Sequence, residues 1–176
     1  MVSAPLNTWA VLRFALSYPD GRHLDRFHEL FESVPGTLEE LQALYIDLFE
    51  AGLPQPRCPL LESAWLLNRR AGDVVLENKL FYQHFGLELD GRAAPDHLLT
   101  QLEFLAWLDH CLAAGNPDAD SLERARAEFL DRHMQHWVGK AARLARNAGG
   151  GCYAEILEAV AEEAETQLRC VNASTG

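Results

Sequence analysis

With 176 residues and a mass of 19.7 kDa, the chain suits one domain, or at most two small ones. Hydrophobic residues at 48% and charged residues at 23% are ordinary for a soluble globular protein. The formal net charge of -11 repels phosphate backbones, which argues against nucleic acid as a partner and favours cationic ones.

Cys58, Cys111, Cys152 and Cys170 are widely scattered, with no CxxC pair. That pattern suits neither a disulfide framework nor a zinc site, so they read as thiols of a reducing compartment. Met1 to Thr8 carries neither the basic start nor the apolar run of a secretory signal. No apolar run approaches the ~18 residues a membrane helix needs. A cytoplasmic protein without membrane insertion is expected.

The prolines, at 5, 19, 35, 54, 56, 59, 95 and 117, fall between helical stretches or at their first turns, where proline is tolerated. Residues 6–17 space Trp9, Leu12 and Leu16 as a helix, and 22–33 follow the Asp20-Gly21 turn. Thr37 and Glu40 form a capping box, in which the hydroxyl takes one free amide and the carboxylate returns to another. The helix it opens carries Leu41, Leu44, Tyr45, Leu48 and Phe49 at steps of three and four. Residues 51–58 form a loop containing Gly and Pro, and Leu60 to Arg69 has the pattern of a shorter helix.

Asp73 is placed to cap a helix running to Phe85, with Gly86 just past its end. Asp96 is placed to cap the longest apolar helix, 97–114, which Gly115 stops. At about 1.5 Å per residue that helix spans roughly 27 Å. Residues 121–146 are helical, with a bend expected near Gly139. The break Asn147-Ala148-Gly149-Gly150-Gly151 precedes a last helix, 153–171. Its Tyr153, Leu157, Val160, Ala164 and Leu168 share one side, with Glu155, Glu158, Glu162 and Glu165 largely on the other. No segment shows the clean period-two alternation of a strand. The expected fold class is all-α: one domain over 1–176, a bundle of about seven to eight helices.

No GxSxG, P-loop, HExxH, GxGxxG or Glu-x-x-His pair is present, which argues against a catalyst. His133-x-x-His136 is the best metal candidate, because residues three apart share a helix face, and His110 could supply a third ligand. A small helical metal-binding protein or enzyme is the alternative these three define. His133 also falls in line with Phe129, Trp137, Ala141 and Leu144, which favours a core histidine.

Asp96, Thr100, Glu103, Trp107 and His110 follow one another at steps of three or four. This stripe is either a solvated face or a polar seam at a groove. Residues 121–146 hold six basic and three acidic side chains, and the remaining chain is net -14. An acidic body of this kind could receive a cationic peptide, although solubility alone also accounts for the charge.

Two stretches carry a resemblance. The first is Leu44-Tyr45-Ile46-Asp47-Leu48-Phe49-Glu50-Ala51-Gly52, followed by Pro59-Leu60-Leu61-Glu62-Ser63. The second runs Tyr82-Gln83-His84-Phe85-Gly86-Leu87, then Pro95-Asp96-His97, then Leu102-Glu103-Phe104. With the later His133-x-x-x-Trp137, and in this order, the set resembles the TorD/DmsD/NarJ family of molybdoenzyme maturation chaperones, leaning toward its Nar-like branch. The resemblance covers about residues 40 to 140, and Leu60-Leu61 departs from it where many members carry a second proline and an aromatic.

The resemblance implies a helical, non-enzymatic cytoplasmic chaperone that holds no cofactor stably itself. Its partner would be the catalytic subunit of a DMSO-reductase-family molybdoenzyme, bound through an N-terminal twin-arginine or related leader while the molybdenum cofactor is inserted. Such proteins are mostly monomeric, and swapped dimers are open to them. Asp96, His97 and Glu103 are expected at or near the groove, with Glu62, Ser63 and Tyr82 shaping it; Asp96 could instead only cap its helix. The chemistry agrees with the charge: two arginines followed by an apolar run need an apolar groove flanked by carboxylates, which accept the guanidinium fork through paired hydrogen bonds.

Overall fold

The computed structural model describes residues 7–31 and 33–174. Leu6, where the first predicted helix begins, and Glu32, inside the second, lie outside the described residues. Eight α-helices follow in chain order among the rest: α1 (Thr8–Ala15), α2 (Gly21–Leu30), α3 (Leu38–Phe49), α4 (Ala71–His84), α5 (Leu98–Ala113), α6 (Ala119–Phe129), α7 (Val138–Asn147) and α8 (Gly151–Ser174). No strand forms among the described residues, only an isolated bridge between Leu61 and His97. None of the described helices is long and apolar enough to cross a membrane.

Local chemistry sets the helix starts. The Asn7 side chain accepts from the Ala10 amide. Asp20 accepts from the Arg22 amide, while its own amide donates to His23 Nδ1 at 3.0 Å, so a histidine fills the return position of a capping box. The predicted Thr37–Glu40 box is present, with both reciprocal bonds at 3.2 Å.

Three sequence expectations are corrected. Leu60 to Arg69 is not a helix: only Glu62–Ala64 forms a 3₁₀ turn, because the backbone on either side of Leu61 is committed to the start of α5. Leu98 N donates to Leu60 O at 2.8 Å, and Glu62 N to Asp96 O at 3.0 Å. Asp73 lies in the first turn of α4 rather than at its cap, which Arg70 occupies without a side-chain bond. The 121–146 stretch breaks not at Gly139 but at a π-helical turn, Leu130–Met134, where the Gln135 amide reaches back five residues to Leu130 O at 3.1 Å.

α7 and α8 form a tight hairpin through residues 148–150. Gly150 permits it: a Cβ there would lie 2.8 Å from Ala145 O and 3.2 Å from Leu48 Cδ1. α5 packs between α1 and α6, and α8 touches α1, α6 and the π turn. The core has two aromatic nests. Phe27, Tyr45 and Phe49 surround Tyr153 with ring centroids 5.5–5.9 Å apart. Phe104 and Phe129 meet at 4.9 Å beside Tyr82. Edge-to-face contacts at these separations add to the roughly 1.5–3 kcal/mol that each large apolar side chain gains from burial.

Candidate functional site

α4 ends in a Schellman turn: the Gly86 amide donates to Gln83 O and the Leu87 amide to Tyr82 O, both at 3.0 Å. Gly86 adopts φ +70, which glycine takes without steric cost, and this turns the chain back over the end of its own helix. The following Leu87-Glu88-Leu89-Asp90 alternates, leucines half-buried and carboxylates exposed. Asp90 Oδ1 then accepts the Arg92 and Ala93 amides at 2.8 and 3.1 Å, fixing the bend before Pro95.

Between this segment and α5 lies a cleft of about 340 Å³. Leu87, Leu89, Phe104 and Trp107 supply its apolar wall, with Tyr82 beneath. Glu88, Asp90 and Glu103 provide carboxylates, and Thr100 a hydroxyl. A second cleft of about 350 Å³ along the same segment adds Lys79, Gln83 and Pro95, and it shares Tyr82 and residues 87–90 with the first. The predicted stripe on α5 is therefore divided. Thr100, Glu103 and Trp107 line the cleft, Asp96 is buried before the helix begins, and His110 is exposed beyond it.

Of the six residues expected at the groove, Tyr82 and Glu103 line this cleft. Glu103 is exposed and also meets Arg13 of α1 at 3.1 Å. Asp96 is only 2% exposed and does not cap α5; the cap is His97, whose Nδ1 accepts from the Leu99 amide at 3.2 Å. Asp96 Oδ2 accepts the Ser63 amide at 3.1 Å and pins the 3₁₀ turn to the start of α5. Burial pushes the His97 imidazole below its ordinary value, with Asp96 pulling weakly the other way.

Glu62 is wholly buried. Its carboxylate accepts Asn78 Nδ2 at 2.8 Å and Gln101 Nε2 at 2.7 Å, with His133 Nδ1 3.1 Å away. Gln101 Nε2 also donates to Asn78 Oδ1 at 3.0 Å. The cluster joins the 3₁₀ turn, α4, α5 and the π turn around one carboxylate. Tyr82 extends it outward: its single hydroxyl proton goes to Pro95 O at 2.7 Å, with Asn78 Oδ1 sharing it at 3.3 Å. Burial, together with the Glu62 and Asp96 carboxylates, holds the Tyr82 hydroxyl far above its ordinary pKa, so it remains a donor.

The histidine alternative is not assembled. His133 is fully buried against Phe81 and Phe129, whereas His136 and His110 are exposed. The π turn carries His133 inward, and His136, just beyond it, faces outward. Among the described residues, no group of three or more His, Cys, Asp or Glu could hold a metal ion. Sequence reasoning missed Leu87, Glu88, Leu89 and Asp90, although their apolar–acidic alternation before Gly91 was a usable signal. It also missed Asn78 and Gln101, polar residues on otherwise apolar helix faces.

Residues 15–143 match the family model described as nitrate reductase delta subunit, and the chain belongs to that family. The match begins earlier than the motifs that suggested the TorD/DmsD/NarJ resemblance, which it bears out. Three relatives are similar over most of the chain. The selenate reductase assembly chaperone protein of Thauera selenatis is 35% identical over 85% of this chain and 80% of its own. The chlorate reductase assembly chaperone protein of Ideonella dechloratans is 36% identical over 69% of this chain and 66% of its own. The perchlorate reductase assembly chaperone protein of Dechloromonas aromatica is 28% identical over 75% of this chain and 73% of its own. All three are named for assembling an enzyme, not for catalysis.

Proposed function

We propose that this protein is a cytoplasmic assembly chaperone for the catalytic subunit of a molybdoenzyme, and that the cleft between the 87–93 segment and α5 receives that subunit's N-terminal twin-arginine or related leader. The observation that carries this reading is an apolar wall rimmed by Glu88, Asp90 and Glu103, in a family whose relatives are named assembly chaperones. A leader brings two fixed positive charges and an apolar run. The carboxylates take the guanidinium forks, and Leu87, Leu89, Phe104 and Trp107 take the apolar side chains. Apolar contact contributes about 25 cal/mol per Å² of surface removed from water, and ordering the flexible leader gives back several kcal/mol, which keeps binding reversible. Reversibility suits a protein that releases its client once the molybdenum cofactor is in place. The chaperone works as a monomer and needs no cofactor of its own.

The test is calorimetric titration with a synthetic twin-arginine leader peptide, paired with capture of a molybdoenzyme catalytic subunit from the native host. Saturable one-to-one binding, weakened when both leader arginines become lysine, supports the reading; Lys keeps the charge but loses the fork. No binding and no capture overturn it.

A further inference from the structure

The cleft wall and the buried carboxylate cluster share one hydroxyl. Residues 87–94 have a helix end behind them and Pro95 ahead. Among the described residues, the side-chain bonds that hold this stretch are Asp90 to its own neighbours and Tyr82 Oη to Pro95 O at 2.7 Å. Asn78 reaches that hydroxyl through Oδ1 and Glu62 through Nδ2, at 3.3 and 2.8 Å. The hub is oversized for a structural plug: a carboxylate, two amides and an imidazole, all with 0% exposure. Burying such groups costs free energy that apolar residues of the same shape would not. Two of their atoms, Gln101 Oε1 and His133 Nε2, have no hydrogen-bond partner. Gln101 Nε2 bonds both Glu62 and Asn78, so the amides are fixed in orientation by the carboxylate, and the Asn78 carbonyl is aimed at Tyr82.

We infer that the Glu62–Asn78–Gln101–His133 cluster is a positioning device that sets the place of the cleft wall through the Tyr82 hydroxyl, and so governs how tightly the cleft grips its ligand. The inference rests on the leader reading above for its ligand, but not for the wall itself. None of Glu62, Asn78, Gln101 and His133 lines the cleft; Tyr82 links them to it by hydrogen bonds, and Phe129 links His133 to Phe104 by packing alone.

The experiment compares the full-length protein with Tyr82→Phe, which removes only the hydroxyl, and with Glu62→Gln, which disturbs the hub with Tyr82 intact. Ile156→Val in α8, a buried change away from the cleft lining, serves as a control for general loss of stability. Amide hydrogen exchange over residues 87–94 is measured without ligand, and the affinity for the synthetic leader peptide is measured by titration. Both Tyr82→Phe and Glu62→Gln accelerate exchange at 87–94 beyond the control, and Tyr82→Phe raises the leader Kd roughly three- to tenfold, the scale of one lost hydrogen bond. If Glu62→Gln fails to fold, Tyr82→Phe alone decides. Exchange at 87–94 no faster than in the control overturns the inference. Faster exchange in a protein that binds no leader peptide supports the positioning role and overturns the leader reading instead.

Discussion

Asp96 Oδ2 accepts the backbone amide of Ser63 at 3.1 Å across 33 residues of sequence, with the Asp96 carboxylate buried and Ser63 half-buried. The bond makes Asp96 a clamp between the 3₁₀ turn and the start of α5. In Asp96→Ala, the Ser63 amide loses its acceptor, at a cost of about 1–3 kcal/mol. Thermal unfolding and leader titration should therefore fall together. Asp96→Asn keeps an acceptor oxygen and should recover most of the melting temperature. A large loss of leader binding at unchanged stability in Asp96→Ala would contradict this role.

Glu103 behaves oppositely. Its carboxylate is 65% exposed and its Arg13 partner 42%, so solvent screens the pair and its removal changes stability by less than about 1 kcal/mol. Glu103→Gln should leave the melting temperature nearly unchanged while weakening leader binding, most strongly at low salt. Titration at two ionic strengths checks this, and an affinity indifferent to the substitution would remove Glu103 from the cleft's ligand.

His97 makes stability depend on pH in a definite direction. The folded protein holds its imidazole below the ordinary 6.5, and Nδ1 must stay unprotonated to accept the Leu99 amide. Below the ordinary value the unfolded chain binds the extra proton and the folded one resists it, so acidification favours unfolding. The loss begins as pH falls through about 6.5, ends below the folded-state value, and is absent at higher pH. Asn at this position caps a helix without titrating. Denaturant unfolding of wild type and His97→Asn between about pH 7 and pH 5 should show the steeper fall in wild type; equal slopes would contradict it.

The thiols should separate by burial. Desolvation raises Cys58 to about 12 and Cys152 to about 11, which leaves almost no thiolate at neutral pH. Iodoacetamide at pH 8 should spare both in the native protein and modify both after unfolding, as mass spectrometry of digested protein will show.

The sequence made the helices visible wherever local chemistry decides them. Thr37 and Glu40 announced α3 because a capping box is complete within four residues. Gly86 and Gly115 marked helix ends because a positive φ is a local demand. It failed where a distant partner decides. Leu60, Leu61, Ala64 and Trp65 space like a helix, yet the backbone beside them is claimed by His97 and Leu98. Glu62 is recognisable within a motif, but nothing in one sequence tells that its charge sits at the centre of the core among donors from three other elements. The cleft itself arises from the return of residues 87–93 over α5, a tertiary relationship that periodicity does not encode.

The π turn at Leu130–Met134 has a consequence for how this chain tolerates change in length. Each residue advances a helix by about 100°, and the extra one in this turn lets α6 keep Phe129 inward while His133 and Met134 are also hidden. Deleting Asp131 or Arg132, both exposed, would leave the buried side chains in place in the sequence, yet it would remove the extra residue and displace His133 from Glu62. The segment is thus guarded by its residue count as much as by its composition, and a one-codon loss there should be more damaging than most substitutions within it.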